Sequence, residues 1–436
     1  MKSRKSTIPF VLLSLIVLLA LFYPGIPNEG NHDFDSADIA WMLTSTALVL
    51  IMTPGLAFFY GGMVKKKNVI STMLQSFICM AVVAVIWVVF GFSLVFGESV
   101  GGVIGNPTTY FMFDGVIGGP NWPGAPTIPF VLFAMYQLKF AIITPALITG
   151  AFAERIRFTS YVLFLCLFFV FIYAPLAHAT WHPDGLLAGM GVLDFAGGTV
   201  VHMSAGVTAL ASALYLKQGY ANGGHDPARI SYVILGTGFL WFGWFGFNAG
   251  SAFGATELAA TAVATTSTAS GAAALAWIFF DAARGKKPTA MGVCIGVVVG
   301  LVAITPAAGF VTVPHSLIIG VVASIISRLI VEWRTHSRVD DTLDVFPSHG
   351  VGGMVGMLLT GVFATKTING VVTTDGLFFG ETGLFFAHVI GLIGAVIFTL
   401  VMAFVILKIT DLITKLRVSP EEEEIGLDIS QHGEKL

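Results

Sequence analysis

The chain has 436 residues, 56% of them hydrophobic and only 11% charged, with a net charge of −3 and a mean hydropathy of +0.86. So little charge cannot cover a water-soluble globule, in which about 25% of residues are ordinarily charged, and the weak net charge offers no basic surface for nucleic acid. The apolar residues run unbroken for about 20 positions at a time, which suits spanning helices and excludes the ~10-residue alternation of a β-barrel.

The N-terminus, Met1-Lys-Ser-Arg-Lys5, leads into an apolar run from Ile8 to Tyr23. A basic start followed by such a run is the grammar of a signal peptide. Pro24-Gly25-Ile26-Pro27 breaks the helix without a clean small-x-small cleavage site. Residues 1–27 therefore read as a cleaved signal peptide or, less favoured, as an uncleaved leader helix.

After an acidic stretch from Glu29 to Asp38, eleven apolar segments follow. They fall near 38–62, 70–97, 128–153, 158–181, 196–216, 230–253, 257–283, 289–309, 313–333, 346–365 and 379–409. Each is long enough to cross ~30 Å of hydrocarbon at ~1.5 Å per helical residue. The 50 glycines are frequent inside these segments, and small residues let membrane helices pack closely. Basic residues cluster in alternate loops: Lys65 to Lys67, Arg155 and Arg157, Lys217 and Arg229, Arg284 to Lys287, Arg334 and Arg338, then Lys415 and Arg417; Lys366 is the exception. By the positive-inside rule this puts the start of the first span outside and the C-terminus in the cytoplasm of a multi-pass cell-membrane protein. Residues 38–409 form the transmembrane domain. Residues 410–436 form a polar tail with Glu421 to Glu424 in a row, whose plainest reading is a solvated, partly disordered end.

The predicted fold is all-α and polytopic, with 11 transmembrane helices beside the signal-like N-terminal helix. Spans one to five start outside and spans six to ten inside, the layout of two inverted five-helix halves with a path between them. The last helix of each half opens with an Asp followed by a buried-type His: Asp194 and His202 in one, Asp344 and His349 in the other. At helical rise His202 lies ~12 Å past Asp194 and His349 ~8 Å past Asp344, so the imidazoles can converge near the midplane. Two histidines each packed against a neighbouring helix is the bland alternative, but their matching positions in opposed halves favour function. Neutral imidazole has one donor and one acceptor, which suits a small neutral molecule or a proton hop. A bis-histidine haem is disfavoured because neither helix carries a second His, so no cofactor is expected. Cys79, Cys166 and Cys294 are scattered. With no nucleophile–base set, metal cluster or phosphate loop, an enzyme is not expected.

Aromatic and hydroxyl residues crowd the outer ends of spans: Phe140, Trp181, Phe247 and Ser251. Ring faces attract a small cation by about 0.5–2 kcal/mol, and a Ser hydroxyl can accept its hydrogen bond. The competing reading is an interfacial aromatic belt. Asp194 reads first as the N-cap of span five, and second as a cation ligand.

Four motifs recur in order: Ala151-Phe-Ala-Glu-Arg-Ile-Arg-Phe158, Asp194-Phe-Ala-Gly-Gly-Thr-Val-Val-His202, Gly243-Trp-Phe-Gly-Phe-Asn-Ala-Gly-Ser251 and Asp344-Val-Phe-x-x-His-Gly-Val-x-Gly353. Together they strongly resemble the ammonium transporter (Amt/Mep/Rh) family, on its bacterial and archaeal Amt side, from about residue 38 to the tail. The resemblance implies eleven helices in two pseudo-twofold halves and a homotrimer with one pore per subunit. It implies that Trp181 and Ser251 recruit ammonium, with Phe140 as the floor and Tyr136 as a further ring of the box. Phe140 and Phe247 match the stacked phenyl gate, His202 and His349 the twin pore histidines, and Asp194 the required acidic residue by the entry. The segment Leu416-Arg-Val-Ser-Pro-Glu-Glu-Glu-Glu-Ile-Gly-Leu-Asp428 matches the family's cytoplasmic C-terminal region. That match implies an ordered tail that couples subunits and a face on which a PII signal-transduction protein docks. Lys139 departs from the expected pattern: its charge beside Phe140 would oppose a cation unless it faces away and snorkels outward.

The activity implied is recruitment of ammonium, loss of a proton near the gate, and passage of ammonia along the histidines, with the proton returning outside or travelling separately. Two alternatives remain: an ammonium sensor signalling through its tail, and a Rh-like gas channel for ammonia or carbon dioxide.

Overall fold

The computed structural model describes residues 7–25, 33–219 and 226–436. Residues 1–6, 26 and 27 of the expected leader, and part of the acidic stretch after it, lie outside the described residues. The helices are α1 (Ile8–Leu19), α2 (Ser36–Met63), α3 (69–96), α4 (Phe130–Phe152), α5 (158–181), α6 (Gly198–Leu216), α7 (Ile230–Ala249), α8 (Glu257–Ala283), α9 (Ala290–Ile304), α10 (Val313–Thr335), α11 (346–363), α12 (Gly383–Ile413) and α13 (Pro420–Ile425). A short turn, Leu186–Gly189, sits between α5 and α6. Among the described residues the only paired strands are Ser99–Val100 and Ile104–Gly105.

Helices dominate because a backbone surrounded by hydrocarbon must satisfy its own hydrogen bonds. Side chains mark several starts. Asp35 accepts from the amides of Ala37 and Asp38 at 2.8 and 2.9 Å, and Thr289 accepts from Gly292 at 3.0 Å. These bonds satisfy amides that the first turn leaves unpaired. Pro54 and Pro145 sit inside α2 and α4.

Among the described residues, nine helices are long and apolar enough to cross a membrane. The other two expected spans correspond to α9, of 15 residues, and to α11. The expected 289–309 segment stops at Ile304 because Pro306 follows, and proline disfavours helix in the residue before it. The last span runs Gly383–Ile413 rather than 379–409. Leu377–Phe379 forms a separate turn ended by Gly380 at φ 91°.

Glycine sets how closely the helices cross. A Cβ on Gly236 of α7 would fall 2.4 Å from the Phe59 amide nitrogen of α2, and one on Gly62 of α2 would fall 2.6 Å from the Arg229 carbonyl oxygen. At the centre, a Cβ on Gly206 of α6 would lie 2.0 Å from the Gly350 nitrogen of α11. Backbone meets backbone there, and this crossing carries the histidine-bearing segments past each other.

The tail is ordered, not a solvated end. The Arg157 amide donates to the Leu416 carbonyl at 2.9 Å and the Val418 amide to the Arg155 carbonyl at 3.0 Å, so the chain pairs along the loop after α4. Ser419 and Glu422 form a capping box at the start of α13, with Pro420 at its first position. Glu421 to Glu423 thus occupy a helix first turn, where negative charge is favoured. The Ser419 amide and Arg157, 3.0 Å from Glu422, hold that carboxyl below its usual range. Beyond α13, Asp428 accepts the Ser71 amide at 2.8 Å and Asn68 accepts the Leu427 amide at 2.8 Å, fastening the tail to the start of α3.

Helix α1 behaves differently: none of its 12 residues is buried.

Candidate functional site

The first element of the site is the turn that opens α6. Asp194 is not helical. Its Oδ1 accepts the amides of Gly197 and Gly198 at 2.9 and 2.6 Å, and its Oδ2 those of Thr199 and Val200 at 2.8 and 3.2 Å. The N-cap reading of Asp194 therefore describes its contacts, and the carboxylate takes up four amides at once. Gly197 has φ 108°, which only glycine adopts readily. A Cβ on Gly198 would fall 2.6 Å from Pro306. The helix thus begins four residues after Asp194, and its first turn, Gly198–Met203, is a π-turn carrying His202. The ~12 Å axial spacing assumed a helix starting at Asp194 and does not apply.

The second half builds its turn differently. Asp344 has φ 56° and pairs with Arg334 at 2.5 Å. The cap is Asp341, whose Oδ2 accepts the Phe346 amide at 2.7 Å. A π-turn, Phe346–Val351, then carries His349. Asp344 occupies the position expected from sequence, but Asp341 does the capping that Asp194 does in the first half. The adjacent acidic pair Asp340-Asp341 was the available signal.

The two turns bring the histidines together. His202 Nδ1 lies 3.3 Å from His349 Nδ1, with ring centroids 5.4 Å apart and planes at 26°. They are 1% and 3% exposed. One Nδ1 must donate to the other, so the neutral rings hold opposite tautomers. One Nε2 is then an acceptor and the other an N–H donor. His202 Nε2 has no protein partner. Trp244 stacks on His202 at 5.2 Å, and its indole N–H is fixed by Thr305 Oγ1 at 2.9 Å.

Towards the Trp181 end, Phe140 of α4 and Phe247 of α7 stack at 4.3 Å, and Phe247 lies 5.8 Å from His202. Trp181 meets the edge of Phe140 at 6.0 Å, and its indole N–H donates to the Asp194 carbonyl at 3.0 Å. Tyr136 packs on Phe140 at 5.0 Å and donates its hydroxyl to the Gly246 or Phe247 carbonyl at 2.9 or 3.0 Å. Ser251 donates to the Phe247 carbonyl at 3.0 Å. Trp181, Ser251, Phe140 and Asp194 all line one cavity of about 450 Å³. Phe140 is its inner limit. Beyond the ring stack a narrow void touches Phe247, His202 and His349, and a further void touches His349, Tyr60 and Asp344. The expected residues therefore lie along one line through the bundle.

Lys139 is 9% exposed and does not reach the cavity wall among the described residues. It is buried against the bundle and does not snorkel into the open. Sequence reasoning missed His388 of α12. Its Nε2 accepts the Leu193 amide at 3.0 Å and its Nδ1 donates to the Met357 carbonyl at 2.8 Å, which holds the residue before Asp194. A lone histidine inside an apolar run was the signal.

The profile described as the Ammonium Transporter Family matches residues 40–436. The chain is 44% identical over 425 residues to a protein named ammonium transporter from Aquifex aeolicus, covering 97% of this chain and 98% of that one. It matches the crystal structure of Saccharomyces cerevisiae Mep2 with a TM-score of 0.84 at 35% identity, covering 89% of each chain. A structure titled Sensor Amt Protein matches with a TM-score of 0.81 at 27% identity, covering 91% of this chain and 98% of that one.

Proposed function

The chain belongs to the ammonium transporter family, and from that membership we propose that it moves ammonium through a cell membrane as ammonia plus a separately handled proton. The observation that carries the proposal is the 3.3 Å apposition of His202 and His349 directly behind the Phe140–Phe247 stack.

Bare ammonium in hydrocarbon costs many kcal/mol, whereas ring faces return only about 0.5–2 kcal/mol. A cation can therefore dwell at Trp181, Phe140 and Ser251 but not pass the ring stack intact. Ammonia is neutral, and one polar strip suffices for it. The paired imidazoles, with one free acceptor and one free donor, can hydrogen-bond it from either side. The released proton returns to the entry side or travels along the histidine pair; the second route makes transport electrogenic. Potassium has no proton to lose, so selectivity follows from chemistry rather than size.

The wider assembly is proposed on the same footing. The chain crosses the membrane eleven times in two inverted five-helix halves. The Trp181 end faces outside and the tail faces the cytoplasm. Residues 1–27 act as a signal peptide. Three copies form a homotrimer, and a PII signal-transduction protein docks on the tail face. The rival reading is a sensor, favoured by the Sensor Amt match.

Purified protein in liposomes tests the proposal. Ammonium gradients are expected to drive uptake or current, and equal potassium gradients none. An equal potassium current refutes the deprotonation step. Replacing His202 and His349 together with leucine should abolish selective transport; unchanged selectivity removes them from the mechanism. Ammonium binding without flux in the unaltered protein favours the sensor.

A further inference from the structure

One ring on the wall of the Trp181-side cavity is held in a costly backbone conformation. Phe253, just past α7, has φ 55°, in the left-handed region where a bulky residue is an outlier. Such strain persists only where the surroundings over-determine it, and it gathers at binding sites. Here the turn is tied down on both sides. The Phe253 amide donates to the Gly250 carbonyl at 2.9 Å, and Asp38 Oδ1, in the first turn of α2, accepts the Ala255 amide at 2.8 Å. A Cβ on Gly254, between them, would fall 2.9 Å from that same oxygen. Glycine therefore serves the close approach at 254, while position 253, where glycine would relieve the strain, carries a phenyl ring.

The strained turn places that ring on the cavity wall. Phe253 lines the cavity with Phe140, Trp181 and Ser251, and it keeps exposed surface where Phe140 keeps only 1%. Tyr136 is the common neighbour that fixes these groups relative to one another. Its ring centroid lies 5.9 Å from that of Phe253 and 5.0 Å from that of Phe140. Its hydroxyl oxygen lies 3.2 Å from Ser251 Oγ. Phe133 is a second ring against Phe253, at 5.3 Å. Neither ring lies parallel to Phe253, the planes standing at 84° and 49°. Phe133 and Tyr136 precede Phe140 on α4, so Phe253 stands about one turn of α4 before Phe140, on the cavity side.

Resting on the ammonium reading above, we infer that Phe253 is a further substrate-binding residue, whose ring face holds ammonium beside Ser251 before the ion meets Phe140. The negative face of a phenyl ring attracts a small cation. Ser251 gives its own proton to the Phe247 carbonyl, so it offers lone pairs two residues away on the same turn. A leucine at 253 would fill the same wall and offer the ion no ring face. The strain at this position thus serves affinity at the mouth rather than stability.

The test is ammonium transport by the full chain in liposomes across a range of concentrations. Phe253→Leu keeps apolar bulk on the turn but removes the ring face. It should raise half-saturating ammonium about fivefold, the loss of one cation–ring contact. The maximal rate should stay near that of the unaltered protein, because the ring precedes the step past Phe140. Phe253→Tyr keeps the face and should behave like the unaltered protein. Should the leucine variant not fold, mono-, di- and trifluorinated phenylalanine at position 253 keep the shape and weaken the face stepwise; half-saturating ammonium should climb with each fluorine. Unchanged half-saturation in an active Phe253→Leu protein, or across the fluorinated series, overturns the inference. Equal losses in the leucine and tyrosine variants also overturn it, since packing rather than the ring face would then be responsible. If the unaltered protein moves no ammonium, the transport reading falls by itself. Calorimetric binding of ammonium to the same proteins then decides the role of Phe253: weaker binding in the leucine variant alone supports it, and equal binding in all three overturns it.

Discussion

The crossing of α6 and α11 invites a single-methyl test. A Cβ at Gly206 would lie 2.0 Å from the Gly350 nitrogen and 2.2 Å from its Cα, both backbone atoms that cannot swing aside. Ordinary contact begins at 3.4 Å, so Gly206→Ala requires the two segments to part by about 1.4 Å. His202 sits one turn before Gly206, and His349 immediately precedes Gly350. Added in full to the 3.3 Å between the Nδ1 atoms, that displacement takes the pair to at most about 4.7 Å, past hydrogen-bond range. Overpacking of this kind costs about 1–3 kcal/mol where the structure can yield. Gly206→Ala should therefore remain folded with a lowered melting temperature and lose at least tenfold in ammonium flux. Gly238→Ala and Gly271→Ala are the controls, since a Cβ at either position meets nothing within 4 Å; both should transport normally. Normal flux, selectivity and melting temperature in Gly206→Ala would refute the claim that this backbone contact holds the histidines in register.

Asp194→Ala strips the acceptor from four amides and should cost about 2 kcal/mol or more. Asp194→Asn should fall between it and the unaltered protein, and a melting curve unmoved by Ala would contradict the cap. Burial, with Asp344 adding to it, raises the Asp341 carboxyl from 3.8 to about 7. The folded protein then holds a proton that the unfolded chain has released, so this site's contribution to stability falls as pH rises from about 4 to about 7. Asp341→Asn, which keeps an acceptor for the Phe346 amide, should stabilise more at pH 8 than at pH 5; an equal gain at both would show that the proton is not involved. Deleting residues after Arg417 removes the bonds to Ser71, Asn68 and Arg157 and should weaken a PII complex in pull-down, whereas undiminished binding would put the docking face elsewhere.

The sequence pattern exposed the helical class, because unbroken apolar runs have few other uses. It exposed the two histidines, because a polar group inside such a run needs a reason. It did not expose the turns that aim them. Nothing in the order Asp194-Phe-Ala-Gly-Gly says that the helix waits until Gly198, since that depends on Pro306 packing against Gly198 from a distant segment. Likewise the choice of Asp341 over Asp344 as cap depends on Arg334 drawing Asp344 away. The tail misled by composition alone: four glutamates in a row look solvated until Ser419, Arg157 and Arg417 are placed beside them. Which buried polar side chains go without a partner, Thr180 and Gln137 among them, likewise cannot be read until their neighbours are known.

Architecture by itself does not separate transport from sensing, because a structure titled as a sensor shares this fold. The discriminating quantity is what lies beyond the first cavity. A receptor needs only the aromatic mouth, where binding ends at Phe140. Here the polar atoms continue inward past the ring stack: His202 Nε2 is buried and unpartnered, and His349 borders voids on both of its sides. Burying two imidazoles in an apolar bundle carries a standing penalty that a receptor confined to the mouth would gain nothing by bearing. On the proposed reading a conduit gains from it, because the unpartnered His202 Nε2 that costs stability is one that a passing ammonia molecule would satisfy.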